Sequence, residues 1–309
     1  MLSDVIVAEN VSKRYKSVVA LKDVSFKVSK GEIHGFLGPN GAGKTTTMKI
    51  LSTLLTPDGG KAYVNGYDVV KEAKEVRKHI ALLMQWISLD ETLTVEENLY
   101  LFGKIHGLDK DELGRRVKDT LEELGIVDLR KRVVMSLSMG QQRLVQLART
   151  LILDRDVVFL DEPTENLDPR MRRTVWDIIM RKNKEGRTFF ISTHYIDEAE
   201  HLCNRVTIIN QGVTVATGTL AEFRRKLGEY VLEIRTFKGY EENKLILDRL
   251  VKEQGLKGYA TSTSVIIVSN SRDVLENITK EQDFLIRPLS LEDVFLIYTG
   301  KGFMEAWKY

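Results

Sequence analysis

The sequence predicts an α/β protein with a largely parallel β-sheet and helices on both of its faces, followed by a small C-terminal α+β domain. Two observations predict the α/β part. Apolar strands alternate with helices over residues 157–203, which is typical of parallel sheets. A glycine-rich loop also joins a strand at 33–37 to a helix at 44–55. The pattern changes after Gly218, and this change predicts an accessory domain at 219–309.

The N-terminal segments have the composition of short strands. Strands are expected at 5–8, 24–28 and 33–37, and a helix at 44–55. The helix at 44–55 has an apolar side and is followed by a proline and two glycines at 56–60, which end it. Asn65-Gly66 follows a further apolar run, so a tight hairpin turn is predicted there.

Residues 86–153 are predicted to be mainly helical. Thr94 and Glu97 have the spacing of a capping box, which marks the start of one helix. A second helix is expected at 111–124, because Gly125 follows it. Strands and helices then alternate at 157–160, 170–184, 188–192 and 197–203, before a hairpin at 206–215.

The last part of the chain contains no chemical motif that we recognise. Strands are predicted at 230–237 and 284–287, one or two more at 259–269, and helices at 241–254 and 272–280. That order resembles a split β-α-β unit. A packing or docking module is the interpretation that it favours.

Composition excludes several classes of protein. The 309 residues contain 46 Lys and Arg against 44 Asp and Glu, a formal net charge of +2, which argues against a nucleic-acid binder driven by net charge. The apolar runs are far shorter than the ~18 residues that a membrane helix needs, and the first residues lack a secretory signal pattern. Cys203 is the only cysteine, which excludes an internal disulfide and a cysteine-based zinc site.

The glycine-rich loop fits the phosphate-binding pattern G-x-x-x-x-G-K-[ST]. Its residues are Gly38, Pro39, Asn40, Gly41, Ala42, Gly43, Lys44 and Thr45. The glycines allow consecutive backbone N–H groups to point into one concavity, and the following helix adds its positive N-terminus. Lys44 is suited to neutralise β- and γ-phosphate charge, and the Thr45 hydroxyl to ligate Mg²⁺. A chance match in a turn is disfavoured by the flanking strand and helix.

An acidic pair, Asp161-Glu162, follows the apolar strand at 157–160. At the carboxyl end of a parallel strand, Asp161 is expected beside the phosphate loop, where it would hold Mg²⁺. Glu162 points the other way and is suited to orient or deprotonate an attacking water. The alternative is a solvated strand end before a turn at Pro163.

Ser138 and Gln141 have capping-box spacing at the start of a helix with an apolar face. The segment is either a well-capped core helix or an exposed helix N-terminus offered to an anion, and sequence physics leaves both open. Tyr15, Gln85 and His194 are also candidates, since each is predicted on or at the end of a strand of the sheet. Each alone is better explained by a structural role.

Together these motifs resemble the ATP-binding subunit of an ABC transporter over about residues 5–218. The most specific part is Leu137-Ser138-Met139-Gly140-Gln141, which matches the signature of that family. The resemblance implies a P-loop ABC-type ATPase fold, with a RecA-like core, an antiparallel β-subdomain and a helical subdomain at about 86–153, in a cassette at 1–218.

The resemblance also implies a role for each matching residue. The catalytic residues would be Glu162, His194 and Gln85. The Mg²⁺ ligands would be Thr45, Gln85 and Asp161. The nucleotide would contact Tyr15, by stacking on adenine, the loop from Gly38 to Thr46, the signature residues Ser138, Met139, Gly140 and Gln141, and Asp168 of the D-loop.

Two segments depart from the family pattern, and the tail narrows the subfamily. Met139 stands where glycine is usual, and Glu165-Asn166-Leu167 stands where Ser-Gly-Leu is usual, so that Glu165 adds a carboxylate near a polyanion site. The segment at 288–295 resembles the end of daunorubicin- and multidrug-resistance-type ATPase subunits, which serve ABC-2 exporters. Within it, Ser290 and Asp293 form a further capping box, which is also the mark of any capped helix.

The expected protein is therefore an ATPase that binds ATP and Mg²⁺ and powers a separately encoded transmembrane permease. It would pair with a second copy of itself, bind no nucleic acid, and work in the cytoplasm, peripheral to the inner face of the cell membrane. Two alternatives stay open: an ABC-type ATPase of a non-transport assembly, and a regulatory subunit with low turnover, which Met139 and Glu165 would favour.

Overall fold

A computed structural model describes residues 4–278 and 284–300, which form two β-sheets with helices on both faces. The strands are β1 Asp4–Tyr15, β2 Val18–Ser29, β3 Ile33–Leu37, β4 Gly59–Val64, β5 Tyr67–Asp68, β6 Ile80–Leu83, β7 Val157–Asp161, β8 Thr188–Thr193, β9 Arg205–Asn210, β10 Val213–Gly218, β11 Tyr230–Arg235, β12 Lys257–Ala260, β13 Ser264–Ser269 and β14 Phe284–Pro288. The helices are α1 Lys44–Leu51, α2 Ala73–His79, α3 Val95–Ile105, α4 Lys110–Glu123, α5 Met139–Leu151, α6 Pro169–Lys184, α7 Ile196–Leu202, α8 Leu220–Leu227, α9 Tyr240–Gln254, α10 Arg272–Ile278 and α11 Leu291–Thr299.

The first sheet has ten strands in the order β5-β4-β1-β2-β10-β9-β3-β8-β7-β6. Strands β9, β3, β8, β7 and β6 are parallel neighbours, which confirms the predicted α/β fold. The strands β5, β4, β1 and β2 form an antiparallel arm. Tight hairpins join β1 to β2 and β4 to β5, and a tight hairpin makes its two strands antiparallel. One of them is the predicted Asn65-Gly66 turn, in which both residues have positive φ.

The central parallel strands are buried on both faces. Along β7, Val158 and Leu160 belong to a core cluster with the helices α3–α6, and Val157 and Phe159 to a second cluster with α1 and the antiparallel arm. That alternation explains why these strands are uninterrupted apolar runs in the sequence. The predicted helices on both faces are therefore confirmed.

Three N-terminal elements differ in length from the prediction. Strands β1 and β2 each have twelve residues, whereas four and five were predicted. The prediction was too short because exposed polar residues interrupt the apolar pattern in the rest of each strand. Helix α1 ends at Leu51 rather than at 55. Thr53 has a φ of 66°, and the Leu54 N–H donates to Lys49 O over 2.8 Å, so the chain leaves the helix through a left-handed cap.

The helical segment begins with the predicted capping box. The Glu97 N–H donates to Thr94 Oγ1 over 3.2 Å, and the Thr94 N–H donates to Glu97 Oε2 over 2.8 Å. Helices α3, α4 and α5 pack on one another around an apolar cluster that includes Leu99, Leu113 and Val145. This segment stands on the β6–β7 side of the sheet and carries α5 beside the ends of those strands.

The second sheet is antiparallel, in the order β12-β13-β11-β14. Its strands and α9 and α10 follow the predicted order, with two strands in the region 259–269; the predicted last residues of α10, 279 and 280, lie outside the described residues. Helix α8 was not predicted, although Thr219 and Glu222 form a capping box whose N–H contacts measure 2.8 and 3.1 Å. The signal S/T-x-x-E was present and was overlooked.

Helix α11 joins the two sheets. It packs on α7, α8, β9, β10 and β12, and Phe295 and Val294 share a buried cluster with Leu37 of β3 and Ile208 of β9. The predicted capping box of Ser290 is present, with the Asp293 N–H donating to Ser290 Oγ over 3.3 Å. Within residues 4–278 and 284–300, no helix is long and apolar enough to cross a bilayer.

Candidate active site

The glycine-rich loop lies between β3 and α1 and is fixed by close packing. A Cβ on Gly38 would lie 2.5 Å from Ile209 O, and one on Gly43 would lie 2.5 Å from a Leu21 methyl group. Gly43 also has a φ of 109°, which side-chain-bearing residues rarely adopt. The glycines are therefore required both by the neighbouring strands and by the turn itself.

Lys44 opens α1 with its ammonium group turned back over the loop. It is 6% exposed, and Nζ donates to Gly38 O over 2.8 Å and to Pro39 O over 3.3 Å. Nζ also lies 3.3 Å from Glu162 Oε1. The loop thus holds one cation among carbonyl oxygens and beside one carboxylate, in the position where phosphate oxygens are bound in loops of this pattern.

Asp161 ends β7 and is fully buried. The hydroxyl of Ser192 donates to Oδ1, while Oδ2 has no hydrogen-bond partner in the described part of the chain. Burial raises the pKa of Asp161, and the hydroxyls of Ser192 and Thr45 act to lower it. A buried carboxylate oxygen without a donor, beside the Thr45 hydroxyl, fits a hard divalent cation that takes its other ligands from water and phosphate.

Glu162 is the next residue and has an unusual backbone. Its φ is 51°, in the left-handed region that costs a non-glycine residue roughly 1–2 kcal/mol. The side chain is buried, with Oε1 facing Lys44 and Oε2 accepting from Nδ1 of His194 over 2.9 Å. The backbone turn thereby directs the carboxylate to the lysine and to the histidine at once.

A cavity of about 430 Å³ lies in front of these groups. Its walls come from β2, the phosphate loop, α1 and the loops after β6 and β7: Val18, Val19, Ala20, Asn40, Gly41, Gly43, Lys44, Thr45, Thr46, Gln85, Glu162 and Glu165. Gln85 lies at the end of β6, as predicted, and its amide Nε2 donates to Glu165 Oε2 over 3.2 Å. The cavity is large enough for a phosphate chain. Its lining includes both the ammonium group of Lys44, as predicted, and the carboxylate of Glu165.

Tyr15 lies beside this cavity but does not line it. It is the last residue of β1, is 42% exposed, and pairs in register with Val18, which is one of the lining residues. The ring therefore stands at the edge of the antiparallel arm next to the mouth of the cavity.

The signature residues also lie outside the cavity. Ser138 caps α5: the Gln141 N–H donates to Ser138 Oγ over 3.3 Å and the Ser138 N–H to Gln141 Oε1 over 3.0 Å. Met139 is 58% exposed. A Cβ on Gly140 would lie 3.2 Å from Asn166 O, so α5 approaches the chain just before Asp168. The N-terminus of α5 is thus both a capped helix start and an exposed surface.

Asp168 is the N-cap of α6, and its Oδ1 accepts the N–H groups of Arg170 and Met171, both over 2.9 Å. Asn166 before it has a φ of 62°. Asparagine tolerates this conformation better than most residues, so the local turn survives the departure from the family pattern at Glu165 and Asn166. Asp168 is exposed, like Ser138 and Met139.

Arg143 was missed by the sequence reasoning. It lies on α5, is 3% exposed, and its guanidinium donates to the backbone carbonyls of Met84, Gln85, Asp161 and Glu162. An arginine among apolar residues of a capped helix was the available signal, because such a group is rarely buried without partners.

The matching family profile is described as "ABC transporter" and covers residues 21–165. The chain is similar to the doxorubicin resistance ATP-binding protein DrrA of Mycobacterium tuberculosis, with 38% identity over 95% of this chain and 93% of that protein. It is also similar to the Nod factor export ATP-binding protein I of Burkholderia lata, with 37% identity over 96% and 97%.

Solved structures give the same comparison at the level of the fold. A structure described as the ATP binding subunit of an ABC transporter matches with a TM-score of 0.67 and 30% identity, over 72% of this chain and 92% of that chain. A dimeric ATP-binding cassette in a post-hydrolysis state, bound to ADP and Pi, matches with a TM-score of 0.63 and 25% identity, over 69% and 98%.

Proposed function

The chain belongs to the ABC transporter family as an ATP-binding subunit, an ATPase that works with a separate membrane permease, and from this premise we propose that it hydrolyses Mg-ATP between two copies of itself to drive an exporter. The observation that carries the proposal is the position of Glu162. Its two carboxylate oxygens lie 3.3 Å from Lys44 Nζ and 2.9 Å from His194 Nδ1. One carboxylate thus links the phosphate loop to His194.

We infer the following roles from that geometry. The backbone N–H groups of the loop and Lys44 bind the phosphates, which are the polyanion that this loop pattern accommodates. Glu162 accepts a proton from the attacking water, since it is a carboxylate fixed at the edge of the cavity. His194 donates from Nδ1 to Glu162 and keeps that carboxylate oriented. Gln85, across the cavity, positions water or metal.

The cation site that we propose consists of the Thr45 hydroxyl, Asp161 and Gln85. Its support is the buried Asp161 Oδ2, which has no donor among the described residues. No cluster of three or more His, Cys, Asp and Glu side chains in residues 4–278 and 284–300 is arranged to hold a metal by itself. Mg²⁺ is typically bound through only one or two carboxylates and completes its shell with water and phosphate. When bound, it would neutralise charge on the phosphate oxygens.

The second half of the nucleotide site is proposed to come from the partner copy. Ser138, Gly140 and Asp168 are away from the cavity of their own chain, and Ser138 caps an exposed helix N-terminus that suits a phosphate. Head-to-tail pairing would bring these residues over the phosphate loop of the other copy, with Tyr15 beside the adenine. ATP binding would then favour the closed dimer, and hydrolysis the open one.

The names of relatives support the proposal of an exporter. Relatives carry names of doxorubicin and daunorubicin resistance and of Nod factor export. We propose an exporter, with the ATPase held at the inner face of the membrane by its permease. The helical segment after Gln85, including the half-exposed Trp86, is the proposed contact with that permease.

The proposal is tested by ATP hydrolysis of the purified chain. We expect that Glu162→Gln retains ATP binding and loses nearly all turnover, and that Lys44→Ala loses binding as well. Glu75→Gln replaces a glutamate on α2 whose side chain is 42% exposed; it is the matched control and is expected to behave as the wild type. Unchanged hydrolysis by Glu162→Gln would remove the proposed base, and hydrolysis that survives Lys44→Ala would show that the activity arises elsewhere.

One observation supports the alternative of a low-turnover subunit. The Gln85 amide is engaged by Glu165, a carboxylate that lines the phosphate cavity and that the usual family pattern lacks. This alternative would be favoured if the wild type turned over ATP far more slowly than the Glu165→Ser variant while the two bound ATP equally well. Co-purification with ribosomes or DNA rather than with a membrane protein would favour the non-transport assembly.

A further inference from the structure

Arg143 is a buried cation whose partners are almost all backbone carbonyls. Nη1 donates to Met84 O over 2.6 Å and to Gln85 O over 3.3 Å, and Nη2 donates to Glu162 O over 2.6 Å and to Asp161 O. Nη1 also donates to Oε1 of Gln146, one turn further along α5, over 2.9 Å. A single side chain of the signature helix thus holds the loops after β6 and β7.

The contact with Glu162 matters because that residue has a left-handed backbone. Such a conformation persists only where the surroundings impose it. The Glu162 N–H donates to Ser192 O over 3.0 Å, and its carbonyl accepts from Arg143 on the other side. The peptide groups flanking the strained Cα are therefore held by β8 and by α5, and only the second of these attachments depends on a side chain.

Gln146 reinforces the same attachment on the loop after β6. Its Nε2 donates to Met84 O over 3.2 Å and to Trp86 O over 2.7 Å, and the residue is 1% exposed. Arg143 and Gln146 therefore enclose the backbone on both sides of Gln85. The side chain of Gln85 is left to face the cavity, because its main chain is fixed from behind.

We propose that Arg143 is a positioning residue for ATP hydrolysis: it fixes the backbone of Glu162 and of Gln85 with one guanidinium group, so that both side chains move with α5. The inference rests on the proposed function of Glu162 as the base. Burial lowers the pKa of Arg143 to about 10 and the carboxylates of Glu165 and Asp161 oppose that shift, so the group stays charged at neutral pH. Lysine cannot replace it, because an ammonium group lacks the planar fork that reaches two loops.

The test is steady-state hydrolysis by Arg143→Lys. We expect kcat to fall about 10- to 100-fold with KM for ATP within about 3-fold, because a displaced base slows chemistry by up to such factors while the phosphate loop is untouched. Arg116→Lys is the matched control. Arg116 lies on α4 in the same helical segment and also donates to a backbone carbonyl, Ile152 O, over 2.8 Å, so we expect its kcat to stay within about 2-fold of the wild type.

A second measurement separates positioning from a general loss of structure. In single-turnover assays, Arg143→Lys is expected to slow the Glu162→Gln variant less than it slows the wild type, since a base that is absent cannot be misplaced and only the contribution of Gln85 remains. A full additional loss in that background would overturn the inference. If Arg143→Lys folds poorly, as judged by its ATP affinity, Arg143→Gln takes its place with the same expectations.

Three further outcomes are distinguishable. If wild-type hydrolysis depends on Lys44 but Arg143→Lys has the same kcat as the wild type, the inference is overturned and the proposed function is not. A wild-type chain whose hydrolysis does not depend on Lys44 would overturn the proposed function, and the inference with it. Equal losses in Arg143→Lys and Arg116→Lys would also overturn the inference, because the effect would then belong to the helical segment as a whole.

Discussion

Asp293 is the buried carboxylate that fastens α11 to the second sheet, and its replacement by alanine gives a quantitative test of that attachment. The carboxylate accepts from Tyr259 Oη over 2.8 Å, from Arg287 Nη1 over 2.6 Å and from Ser290 Oγ over 2.7 Å. It also accepts the Ser290 N–H over 2.8 Å, which completes the capping box. One side chain thus joins β12, β14 and the start of α11.

The magnitude follows from these contacts. Removing one partner of a buried ion pair costs about 3–5 kcal/mol, and the lower end applies because the Arg287 side chain is 29% exposed and regains some hydration. We expect Asp293→Ala to lower the free energy of unfolding by about 3 kcal/mol. Tyr259→Phe removes only one hydrogen bond to the carboxylate and should cost about 1.5 kcal/mol.

Urea unfolding followed by circular dichroism measures both values, provided that the dependence of the free energy on urea is unchanged. The reasoning would be refuted if Asp293→Ala lost less than about 1 kcal/mol, or if Tyr259→Phe cost as much as Asp293→Ala. The first result would mean that the packing of α11, rather than the carboxylate, holds the two sheets together. The second would mean that the Tyr259 hydrogen bond, rather than the ion pair with Arg287, accounts for the loss.

The same site predicts a pH dependence. Burial acts to raise the pKa of Asp293, but hydrogen bonds from Arg287 and Ser290 outweigh it, and the pKa is lowered. A carboxylate with a lowered folded-state pKa stabilises the fold above its unfolded pKa of about 3.9 and loses that contribution as the pH falls further. The stability difference between the wild type and Asp293→Asn should therefore be constant from neutral pH to about pH 5 and shrink below about pH 4.

Two further predictions concern Glu198 and Glu165. Burial raises the pKa of Glu198, and its Oε2 has no hydrogen-bond partner among the described residues. The wild type should therefore lose thermal stability relative to Glu198→Gln as the pH rises above about 4.3. An equal difference in the midpoint of thermal unfolding at pH 4 and pH 7 would contradict this. Glu165→Ser and Glu165→Gln both remove a negative charge from the phosphate cavity and should lower KM for ATP about 2- to 5-fold at low salt. A KM that stays the same in both variants would mean that the Glu165 carboxylate does not repel the bound nucleotide.

The parallel part of the fold could be predicted because its signals are local. The strand at 157–160 is apolar throughout because both of its faces are buried, and the Asn65-Gly66 turn needs positive φ at both positions. The capping boxes at Thr94, Ser138 and Ser290 formed as expected. In each case the local residue types determine the backbone geometry, and no contact with a distant segment is needed to predict it.

What the sequence did not predict depends on contacts between distant segments. Nothing local to Arg143 says that it would reach carbonyl groups 18 and 59 residues away. The contact between Gln85 and Glu165 spans 80 residues, and it arises only when the loops after β6 and β7 lie side by side. The roles of Tyr15, Ser138 and Asp168 stay predictions, since they concern a nucleotide and a second copy of the chain.

The cluster around Leu37 sets an order of events during synthesis. Leu37 directly precedes the phosphate loop, near the start of the chain, yet its buried neighbours include Val294 and Phe295 of the last described helix. A nascent chain that has made the whole loop still lacks the apolar cover beneath it, because α11 is made some 250 residues later. Ribosomal products that stop short of α11 should therefore be exposed to proteases and chaperones. Full burial of Leu37 is in this way reserved for chains whose translation has reached α11.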